Sequence, residues 1–222
     1  MRLCLMIRIV VLLVLLQHGS VFAESTENNH LMVGQFSAGN LKDWSPKIFN
    51  NNTVYTLSVL DGKQVLKALS NNSASGLVKE VTVNIKEYPY LNWRWRVETK
   101  VFSSDETKKS GDDYSARLYV MKSGGFFFWN TKALNYVWSS GKRHGDSWPN
   151  AFAPGNNRMI ALRSAEDKTG TWYIEKINVY EAFKDWQGDE VVTIDAIAIM
   201  TDTDNTHQQA IAFFGDIYFS KD

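Results

Sequence analysis

Cysteine is nearly absent from this chain. Among 222 residues only Cys4 occurs, which excludes a disulfide framework, a thiolate metal site and a thiol nucleophile from everything downstream of it. An excess of one charge is lacking too. The 24 basic and 24 acidic side chains give no concentrated basic surface, so no nucleic acid is expected as a partner. Beyond the N-terminus no apolar run is long enough to cross a bilayer, so no membrane span is expected in the mature chain. Catalytic signatures are missing as well. There is no Gly-x-Ser-x-Gly elbow and no phosphate-binding glycine loop, and His30, His144 and His207 are not spaced as a zinc triad.

What is present begins with an export signal. Arg2 and Arg8 precede an unbroken apolar run from Ile9 to Leu16, a short polar stretch and Val21-Phe22-Ala23. Residues 1–23 therefore read as a signal peptide cleaved after Ala23. Arg8 interrupts the stretch that starts at Leu3 and leaves it short of the roughly 20 apolar residues of a spanning helix. Cys4 lies before the apolar core, the wrong side for a lipoprotein cysteine, and leaves with the signal. The expected location is periplasmic or secreted, in a bacterium. Residues 24–30 are expected to form a flexible polar leader. Residues 31–222 are expected to form one domain, large enough to hold a packed core without disulfides.

Segments rich in Val, Ile, Tyr, Trp and Thr then recur between clusters of Asn, Asp, Gly, Ser and Lys, the pattern of short strands. They are Met32–Phe36, Val54–Leu60, Gln64–Ser70, Gly76–Ile85, Tyr90–Glu98, Tyr114–Lys122, Ala133–Ser139, Arg158–Arg163, Thr171–Asn178, Thr193–Thr201 and Ala210–Phe219. Asp61-Gly62 is a hairpin turn signal, because both residues tolerate positive φ. One short helix is expected over Val179–Trp186. Strands that follow one another without helices predict an all-β, antiparallel β-sandwich, jelly-roll-like. Alternation sends Trp93 and Trp95 inward and Arg94 and Arg96 outward. It groups Tyr114, Ala116, Leu118 and Val120 on one face and Asp113, Ser115, Arg117 and Tyr119 on the other. Ile194 to Met200 is apolar on both faces, as a central covered strand would be.

Leu91-Asn92-Trp93-Arg94-Trp95-Arg96-Val97, Gly111-Asp112-Asp113-Tyr114 with Ala116-Arg117, Leu134-Asn135-Tyr136-Val137-Trp138, Met200-Thr201-Asp202-Thr203-Asp204-Asn205 and Gly215-Asp216-Ile217 together resemble an exported bacterial family. It is domain-of-unknown-function family 3047. The resemblance spans most of the mature chain and brings no assigned activity. More distantly, Asp43-Trp44 through Leu66 resembles the opening of jelly-roll carbohydrate-binding modules, a likeness that implies a fold and carries function only by analogy.

Three constellations bear on function. Arg94, Arg96, Asp113 and Arg117 are expected to share a charged sheet face, joined by Asn135 and Glu175, where arginine forks grip carboxylates or sugar hydroxyls. Solvated cross-strand ion pairs are the plainer alternative. Eight tryptophans and nine tyrosines supply flat rings for stacking, with Tyr136, Trp138 and Trp148 as candidates beside that face. Trp93, Trp95 and Trp172 are assigned to the core, and the Phe126–Trp129 run is too aromatic to face inward throughout. Asp202, Asp204 and Asn205 place oxygen ligands at a spacing suited to a structural Ca²⁺, although the EF-hand glycine and closing glutamate are absent. No other cofactor is expected. The function these features predict is binding of a glycan or related polar small molecule. The alternatives are a glycan-active hydrolase or lyase using carboxylates on the same face, and an envelope assembly or interaction factor with an unknown protein partner docking on Phe126–Trp129.

Overall fold

The computed structural model describes residues 29–125, 130–188 and 190–222. The expected signal peptide, most of the leader and the Phe126–Trp129 run lie outside the described residues. No helix among the described residues is long and apolar enough to cross a membrane.

Alternation in β6 (Tyr90–Thr99) builds the first sheet. Leu91, Trp93, Trp95 and Val97 point inward and are at most 2% exposed, while Arg94 and Arg96 face out. β13 (Gln209–Phe214) and β14 (Ile217–Ser220) meet successive parts of one edge of β6, and β11 (Tyr173–Asn178) covers the other. β14 continues to β1 (His30–Gly34), and β13 to β4 (Lys63–Asn71) and β3 (Val54–Leu60). Asp61 and Gly62 join β3 to β4 with φ of 52° and 72°, the positive values expected of that pair.

The second sheet runs, in order, β2 (Trp44–Asn50), β5 (Ala74–Asn84), β12 (Thr193–Asp202), β7 (Arg117–Lys122), β8 (Lys132–Trp138), β10 (Asn157–Arg163) and β9 (Ser147–Pro149). β12 lies inside this sheet, as its apolar run predicts, but it is not covered on both faces, because Ala198 and Met200 on its outer face line a surface hollow. The two sheets face each other as an all-β, jelly-roll-like sandwich, antiparallel except where β8 and β10 pair in parallel. The core between them includes Leu66, Leu118, Val120, Ile197, Ile199 and Phe214. Each such side chain contributes about 1.5–3 kcal/mol on burial. Aromatic pairs span both sheets: Trp93 lies 5.7 Å from Tyr136, and Trp95 lies 6.3 Å from Trp138. The helix α1 (Val179–Gln187) starts where Asn178 Oδ1 accepts from Glu181 N at 3.0 Å, and it buries Val179 and Phe183.

Several expectations need correction. β2 and β9 were not expected. β2 is an edge strand exposed beyond Trp44, where Pro46 costs no ladder bond within the sheet. The segment Ala210–Phe219 splits at Gly215-Asp216 into β13 and β14, because Gly215 N donates to Arg94 O at 2.9 Å and a Cβ there would lie 2.5 Å from the Arg94 side chain. Trp172 is not in the core. It lies half-buried under the Arg94 guanidinium, 4.4 Å from the ring centroid. Tyr114 does not join Leu118 inside, because β7 begins only at Arg117 and strict alternation fails before it. Tyr114 belongs instead to a small outer cluster with Val137, Trp148, Met159 and Ala161.

Candidate ligand-binding groove

Arg117 opens β7 on the outer face of the second sheet, opposite Met200 on β12 and Val137 on β8. It is 3% exposed, and both terminal nitrogens are engaged while the buried Nε has no hydrogen-bond partner among the described residues. Nη2 lies 2.8 Å from Asp202 Oδ2 and 3.3 Å from Asp112 Oδ2, and also donates to the Asp112 carbonyl. Nη1 donates to Tyr119 OH at 2.9 Å, and the guanidinium covers the Tyr114 ring at 4.1 Å. Burial pushes the Asp202 carboxyl well above its usual range, Arg117 opposing and Asp113 and Asp112 adding to the rise. Burial raises Asp112 as well, against the pull of Arg117. Burial works against the charge on Arg117, but Asp112 and Asp202 outweigh it, so the guanidinium stays protonated. Burial raises the Tyr119 hydroxyl to about 12.

The loop after β12 is tied down beside this cluster. Asp113 Oδ1 accepts from Asn205 N and Nδ2 at 3.3 Å, and Oδ2 from Thr206 N and Oγ1 at 2.6 Å. Asp204 accepts from Asn50 Nδ2 at 3.1 Å and Asn205 Nδ2 at 2.7 Å. Behind the loop, buried hydroxyls of Ser70, Ser73 and Thr203 link at 2.8 Å. Across the cluster, Asn150 donates to both Asp112 carboxylate oxygens at 3.3 Å and accepts from Phe152 N and Ala153 N at 3.0 Å. That turn carries Phe152.

Part of this cluster lines a cavity of about 430 Å³, with Arg117, Asp112 and Asp202 among its walls, alongside Tyr119, Asn50, Asn150, Asn157, Asp204 and Asn205. Two of its lining residues are large exposed apolar side chains, Phe49 at 67% and Phe152 at 55%. A second hollow of about 320 Å³ shares Phe49, Tyr119 and Met200 with the first and is otherwise lined mainly by Gly76, Val78, Met121 and Ala198. The two form one groove along the outer face of the sheet, polar at one end and apolar at the other. Gly76 at the apolar end has no room for a side chain, since a Cβ there would lie 2.8 Å from the Ile199 carbonyl oxygen of the neighbouring strand.

The expected site residues are dispersed by this arrangement. Arg94 and Arg96 occupy the outer face of the first sheet, opposite Arg117, because alternation assigns a face within a sheet and says nothing of which sheet a strand joins. Arg94 rests on Trp172, and Arg96 pairs with Glu98 and with Asp61 at 3.1 Å. Glu175 points into the sandwich, accepting from Trp95 Nε1 at 2.8 Å and Arg163 Nε at 2.7 Å, an ion pair that joins the two sheets. Tyr136 and Trp138 are core residues, and Trp148 is buried against Tyr114. Asn135 is fully buried, its Nδ2 donating at 3.4 Å to Ala133 O, and is not among the cavity-lining residues. Of the charged set only Asp113 and Arg117 come together with the loop at Asp202–Asn205.

The carboxylates of Asp113, Asp202 and Asp204 approach within 4.8 Å of one another, an oxygen donor set of the type Ca²⁺ takes. Every oxygen of the three already accepts a hydrogen bond or an ion pair from Arg117, Tyr114 N, Asn50, Asn205 or Thr206, so a cation there competes with these donors. Phe49, Asn50, Asn150, Phe152 and Met200 were not anticipated as site residues. The only signal for Phe49 and Phe152 is an aromatic set among Asn, Pro and Ala.

A family model described as protein of unknown function (DUF3047) matches residues 42–218. No curated protein matches the chain in sequence. Among solved structures, "Cellulose induced protein, Cip1" is similar at 8% identity and a TM-score of 0.50, with 86% of this chain and 97% of that chain covered. The family 11 carbohydrate-binding module of the cellulosomal cellulase Lic26A-Cel5E of Clostridium thermocellum is similar at 9% identity and a TM-score of 0.48, over 86% of this chain and 94% of that one. A family 11 module from Clostridium thermocellum in complex with a β-1,3-1,4-mixed-linked tetrasaccharide gives 10% identity and 0.46, over 86% and 95%. Likeness at such identities is one of fold.

Proposed function

We propose that this chain, which belongs to the DUF3047 family, binds glycans in the groove on the outer face of its second sheet. The observation that carries the reading is the joining, in one cavity of about 430 Å³, of two exposed phenylalanines with side-chain amides and a polar floor. Rings of that size are normally buried, and two exposed at one concavity mark a surface meant to be covered. Ligand sites of roughly 300–1,000 Å³ pair apolar and aromatic walls with a few fixed polar groups. Sugars match such walls, with C–H faces for rings and hydroxyls for Asn50, Asn150, Asn157 and Asn205.

Hydrolysis finds less support in the same geometry. A glycosidase needs a carboxylic acid and a free carboxylate flanking the bond, and here Asp112 and Asp202 both contact a single Arg117 nitrogen, which leaves Asp204 as the one carboxylate of the cavity wall without a cation among the described residues.

The test is a glycan panel probed with wild-type chain and with the Phe49→Ala/Phe152→Ala double variant. The reading expects a coherent set of sugars for the wild type and at least a tenfold weaker signal for the variant. No binding across the panel, or equal binding by both proteins, would contradict it. The proposal also places the protein outside the cytoplasm, on the strength of the N-terminal 1–23 pattern. Mass analysis of protein recovered from the periplasm or medium should give a chain beginning at Glu24.

A further inference from the structure

Charge on the groove wall narrows the class of glycan. Arg117 is the one cation among the residues lining the polar cavity, and its guanidinium is committed to Asp202, Asp112 and Tyr119, with Tyr114 beneath its face. Arginine recognises a ligand carboxylate by presenting a planar fork of free donors, and Arg117 has no such fork to present, since Nη2 is held by Asp202 and Asp112 and the one donor nitrogen without a partner among the described residues, Nε, is itself buried. On the other side of the balance stands Asp204, half-exposed in the wall and held only by the amides of Asn50 and Asn205. No cation among the described residues pairs with it. Asp113 stands beside it, with a carboxylate oxygen within 4.8 Å. The remaining cations nearby are exposed and peripheral. Lys47 lines the apolar hollow, and the Lys109 ammonium sits 5.2 Å from the Phe152 ring centroid.

Resting on the glycan-binding reading, we infer that the groove takes sugar chains free of acid groups, neutral or amino-substituted, and turns acidic polysaccharides away. A uronate seated against Asn50 and Asn205 brings its carboxylate to that of Asp204, with no free donor fork to neutralise it. Like charges placed so close repel through a partly buried path that salt screens only in part, with a screening length of about 10 Å at 0.1 M and about 3 Å at 1 M.

Calorimetric titration tests this with three oligosaccharides of equal length: a neutral glucan, an oligouronate and an amino-sugar oligomer, each at low and at 1 M salt. The expected result is neutral binding that changes little with salt, and oligouronate binding at least tenfold weaker at low salt, the gap closing at high salt. The amino-sugar oligomer should bind at least as tightly as the neutral chain at low salt. Asp204→Asn, checked for an unchanged melting profile, should shrink the neutral-to-acidic affinity ratio severalfold. An oligouronate that binds as tightly as the neutral chain at low salt, or a ratio unmoved by Asp204→Asn, overturns the inference and leaves glycan binding standing. Silence from all three ligands would instead bring down the glycan-binding reading, and the inference with it.

Discussion

Arg117 decides most of what happens at the scale of single residues. One guanidinium, 3% exposed, answers two buried carboxylates and a tyrosine hydroxyl. Removing one partner of a buried ion pair strands the others and costs about 3–5 kcal/mol. Arg117→Met should therefore lower the melting temperature by roughly 10 °C, at about 2–4 °C per kcal/mol for a chain of this size, and a melting curve checks it. Asp202 adds a pH signature. Burial raises its carboxyl in the fold, so the folded chain holds that proton more tightly than the unfolded one. The stabilisation from protonation is complete below the ordinary carboxylate range and is lost as pH rises through the raised value. Asp202→Asn lacks this linkage, so the wild type should gain stability relative to the variant as pH is lowered from 7 toward 4. A pH series of melting curves in which that difference stays flat would contradict the assignment. The residues themselves were partly legible. Alternation alone placed Trp93, Trp95 and Leu118 inside and turned Arg117 outward. It could not show that Arg117 would already be neutralised, because Asp112 and Asp202 reach it from a loop and from the far end of another strand.

Elements carry the next level of the account. The hairpin at Asp61-Gly62, the interior position of β12 and the helix after Asn178 could all be read from local chemistry, since each depends on residues adjacent in the chain. Strand partners could not. β6 and β7 both alternate clearly, and nothing in either says that they belong to opposite sheets, so the expected face of four charges divided in two. The loop after β12 is the element on which the groove most depends. Asp113 holds it through Asn205 and Thr206, and Asp204 and Asn205 line the cavity from it. Asp113→Ala leaves those donors without their acceptor, at a cost of about 1–3 kcal/mol for buried groups. Amide hydrogen exchange at Asn205 and Thr206 should speed up while the centre of β12 stays protected. Unchanged protection at both amides would show that the loop is held by something else.

At the scale of the whole molecule, two seven-stranded sheets present two outer faces of different character. The first carries Arg94 on Trp172 and Arg96 with Glu98 and Asp61, pairs that close on themselves. The second carries the groove, with Phe49 from edge strand β2 and Phe152 from the turn before β10. The jelly-roll form was legible in the rhythm of strands and turns. The groove was not, because it is assembled from β2, the segment before β7, β12 with its loop, and the Asn150 turn, which only the fold brings together. Both phenylalanines are largely exposed, so replacing them should leave the melting temperature nearly unchanged. The most direct measurement is therefore a titration of an oligosaccharide identified on the panel into the wild type and into Phe49→Ala/Phe152→Ala, with melting curves of both. Affinity lost by at least tenfold at equal stability is the predicted result. Equal affinity in the two proteins, or a loss traced to Arg94 and Trp172 on the opposite face, would contradict the placement of the site.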